Sequence, residues 1–245
     1  MRLQNKVAII TGSTSGIGEA TAKLFAKEGA KVIVTGRRQE KGLKVVEHIL
    51  EQDGNAHFVQ ADMLDEASYG MIVKETLSKY GTIDILVNNA GRIIEKPFLE
   101  FSNSDWDYFI KLDAFAYFRM MQEVLPSMIE QGSGNVINVT SLAAINVMPT
   151  HALYSFVKAG ITQMSKVVAA EYASKNIRVN NLLPGVVFTE MIEDNPNTVH
   201  MEKIIPIGRM STVEEQAEVL AFLASEQSSY ITGTSIVADG GVRGI

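Results

Sequence analysis

Tyr154 and Lys158 stand four residues apart in a segment of helical period, a spacing that stacks both side chains on one face. A phenol with an ordinary pKa near ~10 is a weak acid–base catalyst at neutral pH. An adjacent ammonium favours its phenolate, as would the positive charge of an oxidised nicotinamide, so Lys158 can tune Tyr154 for proton transfer. A second chemical signal is Thr11-Gly12-Ser13-Thr14-Ser15-Gly16-Ile17-Gly18, directly after an apolar run and at the start of a helical one. Glycines there permit a tight turn and close approach of backbone to a pyrophosphate, while the free N–H groups of a helix start favour an anion. The third signal is Thr35-Gly36-Arg37-Arg38, at the place where an NAD-preferring dinucleotide fold offers a carboxylate to the ribose hydroxyls. A carboxylate repels a 2′-phosphate, whereas a guanidinium holds it with charge-assisted bonds and stacks on adenine. NADP(H) is therefore the expected cofactor, with Arg37 taking the larger share and Arg38 beside it.

These groups need a scaffold, and the sequence supplies one. Short β-rich runs are read at Val7-Ala8-Ile9-Ile10, Lys31-Val32-Ile33-Val34, His57-Phe58-Val59, Ile83-Asp84-Ile85-Leu86-Val87, Asn135-Val136-Ile137-Asn138-Val139, Ile177-Arg178-Val179-Asn180 and Ser235-Ile236-Val237. Helical candidates lie between them, near residues 16–29, 39–53, 65–80, 104–130, 152–174 and 212–224. The alternation predicts an α/β, doubly wound, Rossmann-type fold with a seven-stranded parallel sheet, in one domain spanning 1–245. The irregular stretch from Glu190 to Met210, with Pro196, Pro206, Met191, Ile192, Met201, Ile204 and Ile205, is expected to be a substrate lid near 190–210.

Composition narrows the function classes. At 46% hydrophobic and 20% charged residues the chain can build a sizeable core, which excludes a disordered or collagen-like chain. Its net charge of −6 gives no general attraction to phosphate backbones or anionic lipid, so neither nucleic acid nor membrane is an expected partner. There is no cysteine, and His48, His57, His151 and His200 lack metal-site spacing, so no metal is expected. Met1 to Lys6 leads into an apolar stretch too brief for a signal peptide, and no run approaches a membrane span; the expected location is cytoplasmic.

The glycine spacing Gly-x-x-x-Gly-x-Gly, followed by Asn88-Asn89-Ala90-Gly91 and then by Tyr154-Ser155-Phe156-Val157-Lys158, resembles the classical short-chain dehydrogenase/reductase family. The resemblance continues through Asp62, Ser141, Pro184-Gly185 and Asp239-Gly240-Gly241, so it covers essentially the whole chain. It implies that Gly12, Ser13, Thr14, Ser15 and Ile17 line the adenosine ribose and pyrophosphate, that Asp62 and Met63 hold the adenine, and that Asn89, Ala90 and Gly91 lie beneath the ribose. Val187 and Thr189 look like contacts to the carboxamide of the nicotinamide. Tyr154 would give its proton to the carbonyl oxygen in reduction, Lys158 would also bind the nicotinamide ribose, and Ser141 would orient the same oxygen.

One position departs from the family pattern. Where the helix of Trp106 to Leu112 usually ends in an asparagine that completes a water relay to the lysine, this chain has Asp113. An ionised aspartate accepts a hydrogen bond and cannot donate one. Asp113 is expected to be tolerated and to favour the Lys158 ammonium.

The implied activity is hydride transfer between nicotinamide and a carbonyl or secondary alcohol of a small-molecule ketone or alcohol substrate. Ile93, Ile94, Ile145, Val147, Met148, Val186, Met191 and Ile192 point to an apolar one. Two alternatives stand beside it. A 3-oxoacyl-[acyl-carrier-protein] reductase would want a basic patch, yet Ile129 to Asn135 holds no cation and Arg178 stands alone. A non-catalytic NADP(H) sensor is disfavoured by intact Ser141, Tyr154 and Lys158. His151, one turn before Tyr154, reads as a helix-start residue that could reach the substrate mouth. A homotetramer is expected through helices near 104–130 and 152–174, the latter with Ile161, Met164, Val168 and Tyr172 along an apolar flank.

Overall fold

Every residue of the first strand, β1 (Val7–Ile10), and of the fourth, β4 (Ile85–Asn88), is buried, because helices cover both faces of the sheet. The computed structural model describes residues 1–189 and 203–244; Glu190, Met191, Ile192, Pro196, His200 and Met201 of the sequence reading lie outside the described residues. The remaining strands are β2 (Lys31–Gly36), β3 (Asn55–Gln60), β5 (Gly134–Val139), β6 (Ile177–Pro184) and β7 (Ser235–Ala238). They form one seven-stranded sheet in the order β3-β2-β1-β4-β5-β6-β7, with every pairing parallel.

Period-two alternation along the strands divides the core. Ala8 and Ile10 of β1 and Val32 and Val34 of β2 pack with α1 (Gly16–Lys27), α2 (Gln39–Leu50) and α7 (Val213–Ala224) through Phe25, Val45 and Leu220. Ile9, Ile33 and Leu86 face the other way, against Tyr69 and Ile72 of α3 (Ala67–Tyr80) and Met120 and Val124 of α5 (Ala116–Gln131). The chain winds outward from β1 to β3, then returns to lay β4 on the other side of β1. The crevice at the carboxyl ends of β1 and β4 is thus the topological switch point at which such sheets bind ligands.

The helix expected near 104–130 is not continuous. A short α4 (Asn103–Phe109), started by a capping box between Ser102 and Asp105, runs into a π-helical turn at Ile110–Phe115 before α5 begins. The extra residue in that turn shifts the facing of the side chains, and Asp113 sits within it, fully buried. The helix expected near 152–174 is α6 (Ala152–Tyr172). Among the described residues no helix is long and apolar enough to cross a membrane.

Candidate active site

The loop after β1 turns through left-handed backbone at Gly12 (φ 65°) and Gly16 (φ 58°). A Cβ at Gly12 would stand 2.8 Å from the Ala90 Cα, so only glycine lets this loop lie against the segment after β4. That segment is tied down from the other side: Asn89 Nδ2 donates to the carbonyls of Thr11 and Gly12, and the Thr11 hydroxyl accepts from the Asn89 and Ala90 amides. Asn89 therefore works through backbone bonds. Ser13 is spent in the same way, linking Ile10 O to the Thr35 amide across β1 and β2. Ser15 begins α1 without giving a side-chain cap, which leaves the first-turn N–H groups to a ligand. Thr189 approaches the same turn, its methyl 3.8 Å from the place a Gly16 Cβ would take. Val187 is held nearby by a parallel bridge to Ser211.

The two arginines after β2 differ. Arg38 reaches back over the loop, Nη2 lying 2.6 Å from Ser15 Oγ and 3.2 Å from Thr14 Oγ1. The Arg37 side chain is exposed, and its carbonyl accepts from Gln60 Nε2. The Asp62 carboxylate accepts from the Leu64 amide in a tight turn, and Met63 is buried with its carbonyl bonded to the Tyr69 hydroxyl. Two left-handed glycines, an uncapped helix start and a guanidinium over it form a cradle that fits a dinucleotide phosphate.

Tyr154 and Lys158 come off α6, both buried, with Lys158 Nζ 3.3 Å from the place a Gly91 Cβ would take. The Lys158 ammonium is 5.5 Å from the centre of the Tyr154 ring. Ser141 caps a short 3-10 turn at Leu142–Ala144 by accepting from the Ala143 amide, and it pulls the Tyr154 phenol down. Phe109, Leu153, Val157, Ile94 and Met148 pack around the tyrosine.

The electrostatics differ from the simple expectation. Burial is the largest influence on the Tyr154 phenol and lifts it above the usual tyrosine range; Lys158 pulls it down, Asp113 pushes it up and Ser141 pulls it down. Burial likewise works against the Lys158 ammonium, but the Asp113 charge and the phenols of Tyr117 and Tyr154 outweigh it, so the lysine is held above its ordinary range. Asp113 Oδ1 lies 2.9 Å from Lys158 Nζ, both side chains being almost wholly enclosed. The contact is direct, where the sequence reading expected a water between the two groups.

Ser141, Tyr154, Lys158 and Asp113 thus come from three separate elements: the 3-10 turn after β5, α6 and the π-helical turn. Other expectations fare differently. Val186 lines a cavity of about 370 Å³ with Ile205, Ile207, Gln216 and Val219, a different set of neighbours from those of Tyr154. Ile93, Ile145 and Val147 are exposed. His151 precedes α6 with its ring centre 6.3 Å from that of Tyr154 and is mostly enclosed rather than solvated. Tyr117 escaped the sequence reading altogether, although its spacing of four from Asp113 could have marked it.

A family model described as enoyl-(acyl carrier protein) reductase matches residues 12–243. The chain is 39% identical over 244 residues to the 3-oxoacyl-[acyl-carrier-protein] reductase FabG of Thermotoga maritima, covering 99% of each. Among solved structures, a short-chain type dehydrogenase/reductase from Mycobacterium marinum superposes with a TM-score of 0.94 at 32% identity, covering 98% of this chain and 96% of that one. A gluconate 5-dehydrogenase from Burkholderia cenocepacia J2315, solved in complex with NADP and tartrate, gives a TM-score of 0.94 at 31% identity, covering 100% and 97%.

Proposed function

The chain belongs to the short-chain dehydrogenase/reductase family of oxidoreductases, and from that premise we propose that it interconverts a carbonyl and a secondary alcohol with NADP(H). The observation that carries the reading is Tyr154 and Lys158 side by side on α6, with Lys158 against Gly91 in the segment after β4 and Ser141 just past the carboxyl end of β5. Gly12, Thr14, Ser15, Ile17, Asp62, Met63, Asn89, Ala90, Gly91, Val187 and Thr189 would hold the dinucleotide, with buried Ser13 bracing the loop from behind, and Arg38, with Arg37 beside it, would read a 2′-phosphate. When bound, the nicotinamide supplies or accepts the hydride. Ser141 and Tyr154 would hold the substrate oxygen, with Tyr154 moving the proton to or from it. Lys158 keeps the tyrosine in place and in a positive field. Ile94, Met148 and Phe109, packed around Tyr154, support an apolar substrate.

A second reading, reduction of a 3-oxoacyl group on an acyl carrier protein, is favoured by the 39% identical relative. Against it, Arg178 is consumed by bonds to Ser228 Oγ and to the carbonyls of Leu223, Ser225 and Ile231, so that cation is not free for an acidic partner.

A homotetramer is part of the proposal. Ile161 is buried, and Met164, Val168 and Tyr172 are partly buried against the core, which leaves less of that flank for a partner. The exposed stripe of α6 is instead Phe156, Gly160, Gln163, Val167 and Ala170, flat enough for another helix.

The test is NADPH oxidation with a panel of ketones and with 3-oxoacyl thioesters on free pantetheine and on carrier protein. Turnover with free ketones that is lost in Tyr154→Phe, while that variant still binds NADPH, supports the first reading. A strict requirement for carrier protein supports the second. Cofactor binding without turnover of any substrate would refute both.

A further inference from the structure

Lys158 is enclosed by a set of acceptors that the proposed proton transfer does not itself require. Its ammonium meets Asp113 Oδ1 at 2.9 Å, the Tyr117 hydroxyl at 3.3 Å and the Val139 carbonyl at 3.4 Å. Tyr117 donates its own proton to that same carbonyl at 3.0 Å, so its oxygen faces the lysine as an acceptor. The Tyr117 ring lies beneath the ammonium at 4.8 Å. Asp113 is fixed through its other oxygen by the Arg92 amide, and the chain at Gly91 presses so close that a Cβ there would stand 2.5 Å from Asp113 Oδ1. The carboxylate is thus locked against the lysine by the π-helical turn on one side and the segment after β4 on the other.

Resting on the oxidoreductase reading, we infer that Asp113 and Tyr117 are positioning residues that hold Lys158 as a charge-compensated ammonium, so that Tyr154 remains a proton-bearing acid at neutral pH and the chain is set for carbonyl reduction. At the Tyr154 ring the carboxylate is at most one ion-pair length farther away than the ammonium, which lies at 5.5 Å. Since Coulomb energy falls as the inverse of distance, an ionised carboxylate offsets more than half of the lysine's pull at the ring centre; burial pushes the Asp113 carboxyl up, and Lys158 and the Arg92 amide pull it back. Among the described residues, the other polar or titratable groups near Tyr154 are Ser141 from the 3-10 turn, Tyr117 from α5, and His151 from the start of α6, with Glu95 3.7 Å from the imidazole. Ser141 alone of these pulls the phenol down, against burial that opposes it more strongly.

In reduction the carbonyl carbon accepts a hydride supplied by a reduced nicotinamide, and the carbonyl oxygen takes the proton from the Tyr154 O–H bond. An alcohol, an oxidised nicotinamide and a phenolate result. Lys158 keeps its proton throughout.

The experiment compares the full chain with Asp113→Asn and Tyr117→Phe, each checked for folding by circular dichroism. Phenolate absorbance is titrated and the contribution of Tyr154 isolated by subtracting the matching Tyr154→Phe protein, a readout that needs neither substrate nor cofactor. Once a ketone substrate is in hand, the alkaline limb of its reduction is measured in parallel. Asp113→Asn is expected to move both transitions down by about one pH unit or more. Tyr117→Phe is expected to leave them within about 0.3 unit while lowering turnover severalfold, because it removes a neutral acceptor and no charge. If Asp113→Asn does not fold, Asp113→Ser carries the same expectation. An unmoved phenolate transition in a folded neutral variant overturns the inference, as does an equal shift in Tyr117→Phe. Failure of NADPH to bind would instead sink the oxidoreductase reading, leaving the phenolate titration legible.

Discussion

Replacing Arg38 by alanine removes the guanidinium that lies over the start of α1. In the structure its Nη2 is bonded to two neutral hydroxyls, Ser15 Oγ at 2.6 Å and Thr14 Oγ1 at 3.2 Å. A 2′-phosphate would exchange these for charge-assisted bonds, each contributing about 1.5–3 kcal/mol, against about 0.5–1.5 kcal/mol for each neutral bond given up. Arg38 is exposed, so solvent and salt screen part of the difference. A net effect of about 1–3 kcal/mol remains, which corresponds to about 5- to 150-fold in affinity. NADPH affinity should fall by that factor in Arg38→Ala, while NADH affinity changes less than about twofold, since NADH presents no phosphate there. Titration of nicotinamide fluorescence with both cofactors, at low and at physiological salt, measures the ratio directly. Arg37→Ala should have the smaller effect, because it is Arg38 that bonds the loop hydroxyls while the Arg37 side chain is exposed. An unchanged NADPH-to-NADH ratio in Arg38→Ala would refute the reasoning, and so would an equal loss of both cofactors.

Further outcomes follow from other sites. Gly12→Ala should lose cofactor binding and about 1–3 kcal/mol of stability, since the new methyl meets Ala90 at 2.8 Å on backbone at φ 65°; chemical denaturation and NADPH titration test this. Val167→Asp on the exposed stripe of α6 should dissociate the proposed tetramer, with sedimentation velocity showing a shift toward smaller species. Lys96, then the Ser102 amide and hydroxyl, hold the Asp105 carboxyl down at about 2. That pairing is fully present above about pH 4 and is lost as pH falls through about 2. Asp105→Asn should therefore flatten the fall of Tm across that window, and an unchanged slope would contradict the pairing.

The strand positions, the order of βα units and the glycine loop were legible in the sequence, because each depends on local chemistry: apolar runs, period-two and helical spacing, and glycine where backbone must turn. Tyr154 and Lys158 could be paired for the same reason, since four residues is one turn of helix. Ser141 and Asp113 were reached only through the family resemblance, as no local rule joins residues 13 and 41 positions away from Tyr154. Tertiary structure decided the rest. The π-helical turn at Ile110–Phe115 breaks a stretch whose periodicity reads as continuous helix, and the break brings Asp113 directly onto Lys158. Arg37 and Arg38 are alike in sequence, yet only the path of the chain into α2 lays Arg38 across the Thr14 and Ser15 hydroxyls. Ile161, Met164, Val168 and Tyr172 look alike in the sequence, yet Ile161 is buried whereas the other three are only partly so. The charge balance at Tyr154 also escapes the sequence, because it is a sum over burial, Lys158, Asp113 and Ser141, and burial and distance exist only once the chain has folded.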